Sequence, residues 1–282
     1  MLVDTGWAGF NYRDADRIAT AAKKSGVTKI NWLVITHFHA DHVGGIKQLA
    51  ERLPILNVVD HGKTVETAAN NIAFFKTYEE VAAKSKRHTV KPGDKIPVKG
   101  LNVEVLSAHG ATSGRKGKAN ALCGGVKQRE NDLTDNGQSV GTLISFGKFR
   151  FLDLGDLTWN KELALACPDN RIGKVDLYLT THHGADSPAA LIHAIGPRVA
   201  IMNNGEKKGG AAVGWKTVKA SPGLKDLWQL HFAAANGKDA NVEEQLIANP
   251  QGKDEGNYLM VQAGSDGKFS VTNSRNGLKR SY

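Results

Sequence analysis

The sequence predicts an α/β fold, and two observations carry that prediction. Short apolar runs rich in β-forming residues, such as 31–36 and 198–203, alternate along the chain with stretches of helical periodicity, such as 14–26. Several of the apolar runs end in histidine, aspartate or asparagine. Strands that alternate with helices form α/β folds, in which ligands gather outside the carboxyl ends of the strands.

Each element is predicted from its own stretch of sequence. Strands are expected over residues 31–36, 53–60, 101–107, 175–180 and 198–203. Helices are expected over residues 14–26, 43–53, 64–87 and 188–196. One hairpin is expected over 141–155 with its turn at Gly147-Lys148, and a second over 258–274 with its turn at Asp266-Gly267. Large α/β units of this length fold as one domain, so residues 1–282 are assigned to a single domain.

The composition is that of a globular protein with excess positive charge. Of 282 residues, 40% are hydrophobic and 23% are charged, which is enough apolar material for a sizeable core. No apolar run reaches about 18 residues, so no membrane-spanning segment is expected. The net charge of +9 favours anionic partners or substrates, and it equally fits a general solubility charge. Basic residues concentrate at 84–88, 113–118 and 277–280, and the loop over residues 113–125, which contains the second group, is a candidate lid or anion funnel.

The sequence leaves the compartment and the oligomeric state open. Cys123 and Cys167 can form one disulfide or remain reduced, and neither lies in a CxxC motif. The first residues lack a basic segment followed by a long apolar stretch, so no signal peptide is expected in this chain. The opening "MLVDTG" reads as the end of a strand, however, so a longer natural product that is exported is the alternative.

The segment "THFHADHVGG", residues 36–45, concentrates metal-binding groups. It contains His37, His39, Asp41 and His42. Imidazole and carboxylate ligands suit Zn²⁺, and also Mn²⁺ or Fe²⁺. Alternate residues of an extended segment share a face, so His37 and His39 can point together while Asp41 and His42 lie at the next turn. One loop can therefore serve two metal ions.

Polar residues that follow other predicted strands are expected to converge on this loop. They are His61, Asp156, His182 and Asn203. Asp156 can share its two carboxylate oxygens between two ions, and His182 supplies a further imidazole. Position favours His182 as the ligand and leaves His183 in a supporting or substrate contact. Two ions about 3.5–4 Å apart can hold a hydroxide between them and polarise the bond that it attacks.

The motifs and their order along the chain resemble those of the metallo-β-lactamase superfamily. "THFHADHVGG" is similar to its HxHxDH signature, and "VDTG" (3–6), "DLGD" (153–156) and "THHG" (181–184) are similar to its first, bridging-aspartate and last histidine motifs. Within the superfamily the chain most resembles the metal-binding domain of the ComEC/Rec2 competence proteins. That likeness rests on Asn136, Ser139, "GDLTWNKE", "HHG" and "RVAIMNNG".

The resemblance implies an αββα sandwich, in which two β-sheets face each other between outer helices, and metal-dependent hydrolysis with one or two zinc ions. It assigns His37 and His39 to the first site, Asp41 and His42 to the second, Asp156 to the bridge and His182 to the last position of the second site. Asp41 could instead activate water. Asp4 would support the ligands from behind.

One departure from the family pattern concerns the first site. The superfamily commonly has a third histidine before the hairpin that leads to the bridging aspartate, whereas this chain reads "DNGQSVGT" there. Asn136 or Gln138 could replace the missing histidine through an amide oxygen. Alternatively, His61 or His109 could supply an imidazole to the first site. Fewer imidazoles should weaken metal binding or favour Mn²⁺.

These features predict an enzyme, a hydrolase that uses a metal-bound hydroxide. Its positive charge and its likeness to competence proteins that act on DNA favour phosphodiester substrates, with nucleic-acid binding that weakens in salt. A lactonase or β-lactamase is the alternative, and Trp7, Phe10, Tyr12 and Trp159 would line its more apolar pocket. A non-catalytic binding module of the same fold is the second alternative.

Overall fold

The structure is a computed structural model that describes residues 1–252 and 254–282. The first part of the chain contains β1 (Leu2–Val3), α1 (Arg13–Lys24), β2 (Leu33–Val34), α2 (Ala40–Val43), α3 (Ile46–Ala50), β3 (Asn57–Asp60), α4 (Ala69–Ala82), β4 (Lys86–Thr89), β5 (Lys95–Ile96), β6 (Asn102–Ala108), β7 (Ala111–Thr112) and β8 (Lys118–Ala119). The second part contains β9 (Gly141–Phe146), β10 (Phe149–Asp153), α5 (Trp159–Ala166), β11 (Asp169–Asn170), β12 (Leu177–Leu179), α6 (Ala189–Ile195), β13 (Val199–Met202), α7 (Ala212–Lys219), β14 (Asp226–His231), β15 (Ile247–Asn249), β16 (Leu259–Ala263), β17 (Phe269–Asn273) and β18 (Lys279–Ser281).

The first sheet is parallel and has the strand order β1-β2-β3-β4. One of its faces packs against helices α1, α3 and α4 in a core that includes Leu33, Ile35, Phe38, Ile46 and Tyr78, all of them fully buried. The ends of these strands carry the chain into the loops that hold polar residues. The first sheet therefore supplies a rigid base for the segment that follows β2.

The second sheet has the strand order β15-β14-β13-β12-β10-β9-β6-β5, with β7 paired to β6. Strands β10, β12, β13, β14 and β15 run parallel to their neighbours in that order, and β9 and β10 form an antiparallel hairpin. Successive strand residues point to opposite faces. Tyr178 and Ala200 accordingly pack with helices α5, α6 and α7, whereas Leu177 and Val199 face the other way.

A valine-rich cluster lies between the two sheets. Val34 and Val59 of the first sheet pack there against Val103 and Val105 of β6 in the second. The helices cover the outer faces. The four-layer αββα arrangement that the resemblance implies is therefore confirmed.

The antiparallel sheet β16-β17-β18 completes the inner layer near the end of the chain. Phe269 and Val271 of β17 pack against Leu177, Val199 and Trp228 on the inner face of the second sheet. The sequence predicts the β16–β17 hairpin, and β16 and β17 are joined across Asp266-Gly267 as expected. Strands β14, β15 and β18 were not predicted. This C-terminal region covers the part of the second sheet that the first sheet does not reach.

Two predicted helices are shorter in the structure than in the sequence interpretation. The stretch 43–53 is interrupted, because Gly44 and Gly45 pass so close to the main chain of residues 5–8 that a Cβ at Gly45 would lie 2.3 Å from the carbonyl oxygen of Thr5. The stretch 64–87 yields α4 only, because Lys86 and the residues after it pair with β3 as strand β4. The β9–β10 hairpin turns at Gly147-Lys148 as predicted.

Within residues 1–252 and 254–282, no helix combines the length and the apolar character that crossing a lipid bilayer requires. The two cysteines are joined, and the Cys123–Cys167 disulfide links the loop after β8 to the end of α5. This outcome resolves the two alternatives that the sequence left open for the cysteines.

We expect the double variant Cys123→Ser/Cys167→Ser to unfold more easily than the oxidised protein. The disulfide joins positions 44 residues apart. By restricting the unfolded chain, a cross-link of that span raises the free energy of unfolding by about 2–4 kcal/mol. Urea denaturation followed by circular dichroism measures the difference. Wild-type protein reduced with dithiothreitol serves as the control and should behave like the double variant; a midpoint unchanged by reduction would contradict the expectation.

Candidate metal centre

Polar side chains from three segments meet at the carboxyl ends of β2, β10 and β12. The loop after β2 brings Asp41 and His42, the turn after β10 brings Asp156, and the turn after β12 brings His183. One ligand atom from each of these four residues lies within 4.8 Å of all the others. The predicted convergence of strand ends is thus observed for these segments.

The distances within the four-residue cluster fit a single bound cation. Asp41 Oδ2 lies 3.0 Å from His183 Nε2 and 3.3 Å from His42 Nε2. Asp156 Oδ2 lies 3.2 Å from His42 Nε2 and 3.3 Å from His183 Nε2, and the two imidazole nitrogens are 3.2 Å apart. Tetrahedral zinc with bonds of about 2.0–2.1 Å holds its donors about 3.3–3.4 Å apart. Two imidazoles and two carboxylates at these spacings form a suitable donor set.

A second pair of imidazoles lies beside this cluster. His37 is fully buried, and its Nε2 atom is 3.1 Å from His39 Nδ1 and 3.9 Å from Asp156 Oδ2. The pair therefore lies next to Asp156 on the His37 side. That His37 and His39 form a first metal site, with Asp156 as its bridge to the second, stays a prediction.

Asp4 supports the loop from behind, as the resemblance implies. Its carboxylate accepts hydrogen bonds of 2.8 Å from both the main-chain nitrogen and the hydroxyl of Thr36. Its Oδ2 atom also lies 2.7 Å from Nδ1 of His42. A carboxylate on one ring nitrogen fixes the tautomer and the orientation of a ligating histidine, so Nε2 of His42 is directed into the cluster.

Glu66 has the same role for His39, and the sequence interpretation missed it. Glu66 Oε1 lies 2.7 Å from His39 Nε2 and accepts a 3.0 Å hydrogen bond from the main-chain nitrogen of Asp135. Burial opposes ionisation of Glu66, yet the hydrogen bonds from Asp135 and His39 lower its pKa overall. Glu66 is 27 residues beyond His39, so no local spacing signalled the pair.

His61 and His109 contact groups other than the cluster. His61 is buried, lies 3.1 Å from Asp135 Oδ2 and packs against the ring of Phe38. Asp135 also accepts a 2.8 Å hydrogen bond from the main-chain nitrogen of Phe38, so His61 helps to order the metal-binding loop rather than to extend the ligand set. His109 is exposed, and its main-chain nitrogen donates to the carbonyl of Gln138.

Three predicted substrate or supporting residues carry unsatisfied oxygens. Asn136 Oδ1, Ser139 Oγ and Asn203 Oδ1 are buried, and none of them has a hydrogen-bond partner within the described part of the chain. A buried polar atom left unpaired costs about 1–3 kcal/mol, so each is an open acceptor for a ligand. The replacement of the missing histidine by the amide oxygen of Asn136 stays a prediction. Asn203 also contributes its carbonyl oxygen, 3.3 Å from His183 Nδ1.

The structure places His183 in the cluster and His182, the residue that the sequence favoured, at its edge. His182 Nε2 lies 3.6 Å from Asp156 Oδ2, and 38% of its side chain is exposed, against 12% for His183. Both residues adopt the left-handed conformation, with φ of 51° and 55°, inside a tight turn over residues 181–184. This turn reverses the directions that an extended strand end would give. Position along the sequence was therefore a poor guide to which imidazole faces Asp156.

Lys208 is a second residue that the sequence interpretation missed. It lies in the loop after β13, its ammonium group contacts Asp41 Oδ2, and 41% of its side chain remains exposed. The ammonium nitrogen is 5.3 Å from the centre of the Trp7 ring. Trp7 and Lys208 thus form part of the rim above the cluster. The sequence interpretation named Trp7 as a pocket-lining residue and did not name Lys208.

The electrostatics of the site favour ionised Asp41 and Asp156 and a neutral His37, whereas for His42 and His183 the nearby carboxylates outweigh burial and raise the pKa. Burial opposes the charge of Asp41, but hydrogen bonds from His183 and His42 hold the pKa of this carboxyl well below its ordinary value. Burial likewise opposes the charge of Asp156, and His42 and His183 together lower its pKa. Burial, followed by the positive charge of His42, lowers the pKa of His37. Ionised carboxylates and a neutral imidazole are the forms that bind metal ions.

Comparison with known proteins agrees with this geometry. The family model described as "Metallo-beta-lactamase superfamily" matches residues 1–115, which include β1 and the whole segment 36–45. The match covers 115 of the 282 residues, so the similarity to this superfamily is shown for the first part of the chain. The αββα sandwich of the chain is the fold of that superfamily. The match and the ligand cluster support the prediction of an enzyme that binds metal ions.

The chain is also similar to several solved structures. The metallo-beta-lactamase fold protein YhfI from Bacillus subtilis has 11% identity and a TM-score of 0.42, with coverage of 74% of this chain and 78% of YhfI. A diphosphatase of the PhnP family has 15% identity and a TM-score of 0.38, with coverage of 70% and 66%. CmlA, a diiron beta-hydroxylase from Streptomyces venezuelae, has 14% identity and a TM-score of 0.39. The match covers 71% of this chain and 39% of CmlA, so the chain spans less than half of that protein's length.

Replacement of the two neighbouring histidines should have unequal effects on metal content. We expect His183→Ala to lower affinity for one metal ion by more than about 100-fold, because loss of a residue that only orients a ligand already costs about 10–100-fold. His182→Ala is the matched control, since both positions have the same left-handed backbone and carry the same conformational penalty. Competition with a chromogenic chelator gives both affinities. A larger loss in His182→Ala would reverse the assignment.

Glu162 should make stability depend on pH. It is buried in α5 and accepts a 3.0 Å hydrogen bond from Ser187 Oγ, and burial raises its pKa from 4.5 to about 8. Because the pKa of Glu162 is higher in the folded state than in the unfolded state, its contribution to stability is complete below pH 4.5, where the carboxyl is largely neutral in both states. That contribution is lost as the pH rises towards 8. The free energy of unfolding should fall across this window by up to about 1.4 kcal/mol per pH unit.

Glu162→Gln should remove that fall, because an amide stays neutral throughout. Urea denaturation at intervals between pH 5 and pH 8 measures the slope, and Glu80→Gln, at an exposed position of α4, is the control that should keep it. Equal slopes in the two variants would show that Glu162 does not carry the effect.

Proposed function

We propose that the protein is a metal-dependent hydrolase that cleaves phosphodiester bonds and binds one or two zinc ions, with Mn²⁺ or Fe²⁺ as alternatives. The observation that carries the proposal is the four-residue cluster of Asp41, His42, Asp156 and His183, with donor atoms 3.0–3.3 Å apart in the pairs described above. Two further imidazoles, from His37 and His39, lie alongside it. Divalent ions held there would lower the pKa of water and polarise the phosphorus centre.

The chain's own residues prepare the site for that chemistry. Asp156 would hold both ion positions together, since it contacts the cluster and faces His37. The low pKa of Asp41 disfavours its protonated form, so we assign Asp41 to metal binding rather than to proton transfer. Asn136, with its unpaired amide oxygen, is our candidate for the remaining position of the first site.

Lys208 supplies the feature that favours an anionic substrate. Its ammonium group contacts Asp41 at the rim of the cluster and is partly exposed. A cation at that position can bind a non-bridging phosphate oxygen and balance charge that develops during hydrolysis. The net charge of +9 also favours an anionic substrate. The resemblance to competence proteins that act on DNA supports the same class, phosphodiesters.

A lactonase or β-lactamase remains the alternative, and the rim gives it specific support. Trp7 packs edge-on against Phe10, with ring centres 6.4 Å apart, and both rings are exposed, as is that of Tyr12. An apolar rim of this kind suits an uncharged cyclic ester or amide. The third hypothesis, a non-catalytic binding module, is supported only by the missing histidine of the first site. The Cys123–Cys167 disulfide fits an oxidising compartment and hence the export that the sequence left open.

Hydrolysis of bis-p-nitrophenyl phosphate and of single-stranded DNA tests the proposal. We expect activity in the zinc- or manganese-loaded protein, loss on treatment with a chelator, and recovery when the metal is restored. Asp156→Asn keeps the size of the side chain but removes its charge, and should lower kcat by about 100-fold or more. Asp266→Asn, at an exposed hairpin turn, is the matched control and should retain full activity.

The outcomes separate the three hypotheses. Activity confined to nitrocefin or a homoserine lactone, abolished by Asp156→Asn, would establish the alternative enzyme. Protein that retains no transition metal after reconstitution, as measured by elemental analysis, would favour the binding module. Phosphodiester hydrolysis that survives both the chelator and Asp156→Asn would rule out the proposed site.

A further inference from the structure

A strongly basic cleft of about 670 Å³ lies between the loop that follows β7 and the segment that precedes β12. Arginine and lysine dominate its lining. The six are Arg115, Lys116, Lys118, Arg150, Arg171 and Lys174. Among the lining residues that the structure describes there is no aspartate or glutamate. The cleft is therefore a concentration of one sign of charge in a concave surface.

The cleft is separate from the metal centre. Arg150 lies at the beginning of β10 and Asp156 follows the end of the same strand, while Lys174 precedes β12 and His183 follows it. Strands β10 and β12 are parallel neighbours, so the cleft and the cluster occupy opposite ends of the second sheet. The strand from Arg150 to Asp153 spans about 10 Å at roughly 3.3 Å per residue, and Asp156 lies beyond its end. The length of β10 therefore separates a ligand in the cleft from the metal centre.

The walls of the cleft are fixed by main-chain contacts. Arg150 is half-buried and donates hydrogen bonds of 2.6 Å to the carbonyl of Lys174 and 2.7 Å to that of Ile172. Lys118 pairs with Asn170 where β8 meets β11. A Cβ at Gly117 would lie 2.4 Å from the carbonyl oxygen of Asn170, so glycine is required for this approach.

Segment 113–118 is therefore a wall of the cleft. The sequence interpretation offered the loop 113–125, of which this segment is the first part, as a lid or an anion funnel. The strand pairing of Lys118 and the nearby Cys123–Cys167 disulfide hold the segment in place. A preformed site loses little conformational entropy when a ligand binds.

Much of the positive charge in the cleft is not balanced by the protein. Arg115 pairs with Glu104 at 2.9 Å, and Arg150 is near Asp176, whose Oδ2 atom accepts the main-chain N–H of Arg150. Within residues 1–252 and 254–282, by contrast, Lys116, Lys118 and Lys174 form no ion pair. Burial, followed by the charge of Arg115, lowers the pKa of Arg150. Like charges held together in this way repel one another, and an anion would relieve that repulsion.

We propose that this cleft binds a compact polyanion that carries two or more phosphate or sulfate groups. Six cationic side chains line this one cleft, which is more positive charge than a single phosphate dianion would balance. The described lining residues include no phenylalanine, tyrosine or tryptophan, the aromatic side chains that most often stack on nucleic-acid bases. The one imidazole, that of His193, lies 3.0 Å from the carbonyl oxygen of Thr217. The site goes beyond the proposed hydrolase function and does not depend on it.

Calorimetric titration of the full chain tests the proposal with two probes, sodium tripolyphosphate and sucrose octasulfate, which separate phosphate from sulfate recognition. We expect one molecule of at least one probe to bind, with affinity that falls as sodium chloride is added. The triple variant Lys116→Gln/Lys118→Gln/Lys174→Gln should bind it roughly tenfold more weakly or worse. These lysines are exposed, so the fold should be preserved, and thermal unfolding followed by circular dichroism checks this.

Two controls make the result decisive. Lys23→Gln/Lys24→Gln/Lys29→Gln removes the same charge from exposed positions in and after α1 and should leave binding within about twofold of wild type. His183→Ala, at the metal centre, should also leave it unchanged. Failure of both probes to bind, equal weakening in the two triple variants, or loss of binding in His183→Ala would each overturn the proposal.

Discussion

The contacts of one carboxylate oxygen, Asp156 Oδ2, organise the metal centre. This atom lies 3.2 Å from His42 and 3.9 Å from His37, which belong to the loop of the first sheet, and 3.3 Å from His183, which belongs to the second sheet. The centre is therefore built across the junction of the two layers. The valine-rich core between the sheets sets the distance between these segments, and the layers cannot slide without separating the ligands.

The ligands also depend on carboxylates that lie outside the four-residue cluster. Asp4 orients His42, Glu66 orients His39, and Asp135 holds both the main chain of Phe38 and the ring of His61. These acceptors fix which nitrogen of each imidazole faces inward. The geometry of the centre thus extends from its donor atoms through a surrounding set of hydrogen bonds that span residues 4 to 135 of the chain.

The sequence predicts the parts of this arrangement that local chemistry determines. The strand ends, the two hairpins and the spacing of His37, His39, Asp41 and His42 follow from apolar periodicity and from side-chain type. The choice between His182 and His183 does not, because a left-handed turn decides it. Neither Glu66 nor Lys208 could be found, since each reaches the site through tertiary folding from a distant segment. Strand β14 was missed because polar residues interrupt its apolar ones, and β15 because it has only three residues.

The C-terminal sheet β16-β17-β18 has a consequence for the integrity of the protein. It covers Trp228, Val199 and Leu177, large apolar side chains on a flank that the first sheet leaves open. Proteolytic cleavage before residue 259 would leave every metal-binding residue of the centre in the chain. It would also expose a contiguous apolar surface. Exposed surfaces of this kind drive self-association, so a clipped molecule would be prone to aggregate while still carrying its full set of ligands.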